Sequence, residues 1–292
     1  MRDEKGRFLP DFIAIGPGRT GTTWLHQVLS SSVDLPRGIK ETGFFGPYFS
    51  NGIDWYANHF RYATGARKIA EVATYFNRPP ARARIKQLLP DCKLICTMRN
   101  PIDHAYSVYK LMRHYVWTRT GFEETLETRP HLDQANQYVS HLKGWFDLFG
   151  RENVLVTNYD DLRRSQKAYL DRICNFVGID PIPVSENARD DVHAFERAPR
   201  NRHLAQNARH VLFWMRQHGY YGTVNTLEKF GAWRYCFGRG EPFQPLSTEL
   251  QQKLIARWLP EIEGLEQMLG WDLSSWKTPR EVRNPARKAA AA

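Results

Sequence analysis

Short apolar runs alternate along this chain with longer segments in which apolar residues return every three or four positions. The runs Phe12–Gly16, Lys68–Val72, Lys93–Thr97 and Val154–Thr157 are nearly continuous in apolar character, as expected of strands covered on both faces. Helical spacing fills the segments between and after them: Thr22–Ser31, Ala81–Leu89, Pro101–Tyr115, Leu132–Phe149 and Ser165–Val177. This order predicts an α/β fold, a central parallel sheet flanked by helices. Ligands of such sheets bind beyond the carboxyl ends of the strands. From Ile179 the pattern weakens, broken by Pro181, Pro183, Pro199, Pro242 and Pro245. Residues 179–246 therefore read as loops and short helices forming a loop- and helix-rich C-terminal cap. Ser247–Leu269 reads as a closing amphipathic helix interrupted at Pro260.

Two strand ends carry candidate chemistry. The first strand runs into Gly16-Pro17-Gly18-Arg19-Thr20-Gly21-Thr22-Thr23, a Gly-rich turn opening a helix. That arrangement aims backbone N–H groups and a helix N-terminus at one point, as a P-loop does for phosphate or sulfate. A nucleotide-hydrolysing loop of the form G-x-x-x-x-G-K-[ST] needs Lys after its second Gly. Here Thr22 stands in that place and the cation is Arg19, inside the loop. The third strand ends at Arg99, and Pro101 opens the helix that carries Ser107 about two turns on. A guanidinium fork with a hydroxyl suits a second phosphate group.

With both segments, the chain resembles the sulfotransferases that use 3′-phosphoadenosine 5′-phosphosulfate (PAPS). Lys40-Glu41-Thr42-Gly43-Phe44-Phe45 is similar to the K-E-x-x-F-F segment of the heparan-sulfate-type carbohydrate enzymes and of bacterial relatives. Asp54-Trp55-Tyr56 with Phe60, Tyr159-Asp160-Asp161-Leu162, and Leu269-Gly270-Trp271-Asp272 resemble further segments of that family. The resemblance implies a P-loop-type domain over residues 1–280 that transfers a sulfuryl group from PAPS to a hydroxyl or amine. The acceptor it implies is a saccharide or a natural-product small molecule, and no metal is required. It assigns the 5′-phosphosulfate to Pro17, Gly18, Arg19, Thr20, Gly21, Thr22 and Thr23, and the 3′-phosphate to Arg99 and Ser107. Arg239 and Gly240, in a Gly-Arg-Gly turn, are assigned to closure over the cofactor. Glu41 takes the role of general base, with Lys40 beside it and Arg19 stabilising the transferring group. Arg19 departs from the family's usual Lys, and Val72 stands where the carbohydrate enzymes often carry a Lys after their Glu; here that Glu is Glu71. Glu71 is either a second acid/base candidate or a strand-end carboxylate. His59 and His104 are rival bases, or packed histidines.

Composition bounds the rest. The 292 residues are 42% hydrophobic, enough for a real core, and 41 Lys and Arg against 31 Asp and Glu give a net charge of +10. A basic balance favours anionic partners. Nucleic acid is one candidate, but no Lys/Arg run or nucleic-acid motif is present; an anionic nucleotide cofactor explains the excess as well, and a solvated basic surface accounts for much of it. A P-loop small-molecule kinase and a non-catalytic polyanion-binding module remain as alternatives. Cys92, Cys96, Cys174 and Cys236 have no zinc spacing and read as reduced thiols. Without an apolar leader or a run of about 18 apolar residues, the expectation is a cytoplasmic protein with no membrane segment. Residues 281–292, ending in alanines, read as a disordered tail.

Overall fold

The computed structural model describes residues 2–184, 197–237 and 239–280. The tail expected over 281–292 lies outside the described residues. The chain divides into two compact units.

The first unit gathers the described residues within Met1–Arg99, Ser140–Ala194 and His218–Asn225. Its centre is a four-stranded sheet in the order β2-β1-β3-β4, with β1 Phe12–Gly16, β2 Ala70–Val72, β3 Lys93–Met98 and β4 Val154–Asn158. All pairings are parallel, with Ala14 opposite Val72 and Ile95 opposite Leu155. Helices α1 (Thr22–Leu29), α3 (Pro79–Leu88), α8 (Tyr159–Arg164) and α9 (Gln166–Val177) connect or follow the strands. The expected α/β sheet is thus present, with strand ends shifted by a residue or two. One apolar cluster joins Phe12 and Ala14 of β1, Trp24, Leu25 and Leu29 of α1, Val72, Ile95, and Leu170 and Ile173 of α9. Both faces of the strands are covered, which is why their sequences do not alternate. Local chemistry sets the helix starts: Ser165 accepts from the Ala168 N–H at 3.2 Å and caps α9.

The second unit gathers the described residues within Asn100–Val139, Phe195–Gln217 and Thr226–Ala292. It contains α4 (Pro101–His114), α5 (Phe122–Thr128), α6 (Pro130–Gln134), α10 (Arg202–Gln217) and α13 (Thr248–Leu269). A two-stranded antiparallel ribbon pairs β5 (Arg197–Pro199) with β6 (Arg239–Pro242). Its core packs Ile102, Tyr109 and Met112 of α4 with Phe122, Leu126, Leu132, Leu254 and Trp258.

Three expectations change. The helix expected over Leu132–Phe149 is two helices, α6 and α7 (Tyr138–Phe149). Buried Asn136 breaks it: its side-chain amide donates to the Pro101 and Leu132 carbonyls, and its carbonyl oxygen meets His104 Nδ1 at 2.6 Å. Helix α13 runs through Pro260 without interruption. Its buried stripe Leu254, Trp258, Ile262 and Leu265 spans the proline, and packing of that stripe outweighs the lost backbone bond. The region 179–246 holds the 16-residue α10, longer than the short helices expected there.

Candidate active site

The site in the first unit begins at the end of β1. Gly16 takes φ +89°, and a Cβ there would stand 3.1 Å from the Gly18 nitrogen and 3.3 Å from the Ala73 carbonyl oxygen. Only glycine lets the chain turn at this point. Arg19 is also left-handed, at φ 67°. The Thr20 hydroxyl is buried and donates to the Pro17 carbonyl at 2.7 Å, so it staples the turn and is not directed at a ligand. Gly21, φ +84°, precedes the first turn of α1, which Thr22 opens without a side-chain cap. A turn and the open N-terminus of a helix thus follow β1 in the order expected from the sequence, with the first N–H groups of α1 available to an anion.

Lys40 and Glu41 lie at this cradle. Lys40 Nζ donates to Thr22 Oγ1 at 3.1 Å and to Glu41 Oε1 at 2.8 Å. The other carboxylate oxygen accepts from Thr74 Oγ1 at 3.1 Å. Both side chains keep about a third of their surface, 28% for Lys40 and 33% for Glu41. A partly open carboxylate is thereby joined, through one lysine, to the first residue of the loop's helix. Thr74 was not foreseen; it lies just past β2, and no signal in sequence marks it.

Arg99 follows β3. One Nη1–H donates to the Arg19 carbonyl at 2.7 Å, and the guanidinium lies 4.6 Å from the Tyr159 ring centroid. Its Nε is buried with no hydrogen-bond partner. An orphaned buried donor on a permanent cation is costly unless an anion meets it. Tyr159 and Leu162 of α8 also pack on Gly21, where a Cβ would fall 2.6 Å from Leu162 Cδ2. The Tyr-Asp-Asp-Leu segment thus stacks Arg99 and floors the cradle.

His26, one turn along α1 from Thr22, was not among the expected residues. Burial, reinforced by the Lys40 charge and opposed by Glu41, lowers its pKa to about 4. Its Nε2 is buried without a partner. Among the rivals, His59 stands edge-on to Trp55 with ring centroids 4.7 Å apart. His104 is buried in the second unit with Nδ1 engaged by Asn136. Glu71 is fully buried at 0% exposure and meets Thr42, Tyr56 and Tyr75. It sits in the middle of β2, with both carboxyl oxygens engaged by buried hydroxyls. Burial raises its pKa, while the hydrogen bonds from Thr42 and Tyr56 pull the other way.

Ser107 and Gly240 belong to the second unit. Ser107 is buried on α4. Gly240 lies in β6, where a Cβ would meet the Ala198 carbonyl oxygen at 2.3 Å, so the close pairing with β5 requires glycine. The backbone of Arg239 opens β6, and its side chain lies outside what is described, as does Gly238. All four cysteines are free thiols. Among the described residues no group of three or more His, Cys, Asp or Glu is placed to hold a metal ion. No described helix is long and apolar enough to cross a membrane.

A Gly-rich anion cradle after β1, a cation after β3 and a carboxylate at the cradle define a group-transfer domain of P-loop type. Residues 9–206 match the family described as the sulfotransferase domain, which is more than half of the chain, and the protein belongs to that family. It is similar to the bifunctional heparan sulfate N-deacetylase/N-sulfotransferase 2 of Bos taurus, 32% identical over 197 residues, or 59% of this chain and 22% of that protein. The Homo sapiens counterpart is 30% identical over the same length. The chain matches about a fifth of the length of these curated relatives. Its fold is like that of a solved sulfotransferase from Alicyclobacillus acidocaldarius, with TM-score 0.66, 21% identity, and 92% of this chain and 99% of that chain covered.

Proposed function

We propose that this protein transfers the sulfuryl group of PAPS to a hydroxyl or amine of a saccharide or natural-product small molecule. The observation that carries the reading is the Lys40 bridge, which ties the Glu41 carboxylate to Thr22 at the mouth of the anion cradle. In this mechanism the backbone N–H groups of residues 17–23, with Arg19, hold the phosphosulfate oxygens and take up charge as it develops. Glu41 accepts the acceptor's proton as the acceptor oxygen or nitrogen bonds to sulfur. The bond from sulfur to the bridging oxygen breaks in the same step, and 3′-phosphoadenosine 5′-phosphate (PAP) leaves. Lys40, donating to Glu41 and Thr22, balances the charge of carboxylate and sulfate together. Arg99 offers its orphaned Nε–H to the 3′-phosphate. By the resemblance alone, the remaining cofactor contacts are assigned to Ser107, Arg239 and Gly240. Names of the relatives support a glycan amine as the first acceptor class to try.

The test is transfer of labelled sulfuryl from PAPS to glucosamine-bearing oligosaccharides, to simple phenols and to water, with PAP and magnesium–ATP titrated by calorimetry in parallel. Micromolar PAP binding with weak ATP binding, and transfer to at least one acceptor, is the expected result. Selective binding of magnesium–ATP would overturn the reading in favour of a kinase.

A further inference from the structure

The segment that carries Glu41 is gripped from both sides by charged side chains that take no part in the proposed chemistry. On one side is Glu71. Its Oε1 accepts from the Thr42 backbone N–H at 2.9 Å, from the Thr42 hydroxyl at 2.6 Å and from the Tyr75 hydroxyl at 3.3 Å. Its Oε2 accepts from the Tyr56 hydroxyl at 2.8 Å. Thr42 Oγ1 in turn accepts from the Phe44 N–H at 3.1 Å, closing the turn through left-handed Gly43. On the other side Arg84 of α3 donates through Nη1 to the carbonyls of Phe45, at 3.0 Å, and Gly46, at 2.8 Å. Between the two grips, Phe44 stacks on Tyr56 with centroids 4.5 Å apart, and Phe45 meets Tyr56 and Tyr75 edge-on.

The carboxylate collects donors from the segment and Arg84 collects its acceptors, so backbone groups that would be orphans in an irregular stretch are paired at both ends. Glu71 is fully buried, and both its oxygens are taken up by Thr42, Tyr56 and Tyr75. Glu41, just before Thr42, is left with contacts to Lys40 and Thr74. We infer that Glu71 and Arg84 are positioning residues for sulfuryl transfer: they clamp residues 42–46 so that the Glu41 carboxylate is delivered to Thr74 and the anion cradle. The inference rests on the reading of Glu41 as general base. A displacement of the base by about an ångström costs on the order of a hundredfold in rate while leaving the donor cradle alone.

The clamp is tested with Thr42→Val, Thr42→Ser, Arg84→Met and Glu71→Gln, against Glu41→Gln. Calorimetry with PAP reports the cradle. Sulfuryl transfer from PAPS, to a glucosamine oligosaccharide and to water, reports kcat and KM. The carboxyl ¹³C shift of Glu41 in Glu-labelled protein reports the base without any acceptor. Thr42→Val and Arg84→Met are expected to lower kcat about 10- to 100-fold, move the Glu41 shift, and leave PAP affinity within about threefold. Thr42→Ser keeps the hydroxyl and restores the rate. Glu71→Gln keeps an acceptor for Thr42 and stays near wild type. An unchanged Glu41 shift and wild-type kcat in folded Thr42→Val and Arg84→Met would overturn the clamp. So would PAP affinity falling in step with kcat, which marks general loosening. Wild-type kcat in Glu41→Gln would instead strike the base assignment, a result the clamp variants do not mimic.

Discussion

Arg99 offers the sharpest test of the donor site, because its two roles can be separated with two ligands. Replacing it with Ala removes the 2.7 Å hydrogen bond to the Arg19 carbonyl, and with it a brace on the cradle. This charge-assisted hydrogen bond is worth about 1.5–3 kcal/mol to the cradle itself, and its loss reaches a ligand only through the cradle it braces, at about 1 kcal/mol, or about fivefold in affinity. The substitution also removes the buried Nε–H that has no protein partner, together with the charge stacked on Tyr159. A hydrogen bond to a charged group is worth about 1.5–3 kcal/mol, or roughly 10- to 150-fold. The two effects are read by calorimetry with PAP and with AMP, which lacks the 3′-phosphate. In Arg99→Ala, AMP affinity falls about fivefold, while PAP affinity falls a further 10- to 150-fold. Arg99→Lys keeps a point charge without the fork and lies between. Equal losses for PAP and AMP would refute the assignment, leaving Arg99 as a brace for the loop alone. No loss for either would refute both roles.

Other expectations follow from the same geometry. Glu41→Gln lowers sulfuryl transfer about 10²- to 10⁴-fold with PAP affinity little changed, measured by labelled transfer and calorimetry; comparable losses in both would point to a damaged cradle. Gly21→Ala forces a left-handed alanine whose Cβ stands 2.6 Å from Leu162 Cδ2. It should cost about 2–4 kcal/mol and lower Tm by roughly 5–15 °C, with Leu162→Ala relieving the crowding and not the strain. His26, with its pKa lowered from 6.5 to about 4, takes up a proton in the unfolded chain before it does in the folded one. Stability therefore falls as pH drops from 6.5 toward 4, and His26→Gln flattens that acid-side slope in thermal melts taken every half pH unit. Identical slopes in the two proteins would count against the buried neutral imidazole.

Much of the sheet was legible because its strands are short, apolar on both faces and followed by strong turn or capping chemistry. Gly16 and Gly21 mark the cradle, Pro101 opens α4, and Ser165 starts α9. Boundaries failed where a buried polar side chain intervened: Asn136 breaks an otherwise helical stretch by satisfying carbonyls from α4 and α6, a long-range event no local period records. Pro260 failed in the opposite sense, because the punctuation was local and the stripe that overrides it is tertiary.

Residue type and spacing over a few positions, together with the resemblance in the case of Glu41, were enough for the sequence to mark the Gly-rich turn, the cation after β3 and the candidate carboxylate at position 41. It could not decide what each carboxylate does. Glu41, between Lys40 and Thr42, and Glu71, between Ala70 and Val72, are both open to a catalytic reading in sequence. Tertiary structure separates them: three hydroxyls and one N–H surround Glu71 at zero exposure, while Glu41 keeps a third of its surface beside Lys40 and Thr74. The deciding partners, Thr42 and Tyr56 for Glu71 and Thr74 for Glu41, lie 29, 15 and 33 positions away in the chain, and those contacts exist only once the fold has brought them together.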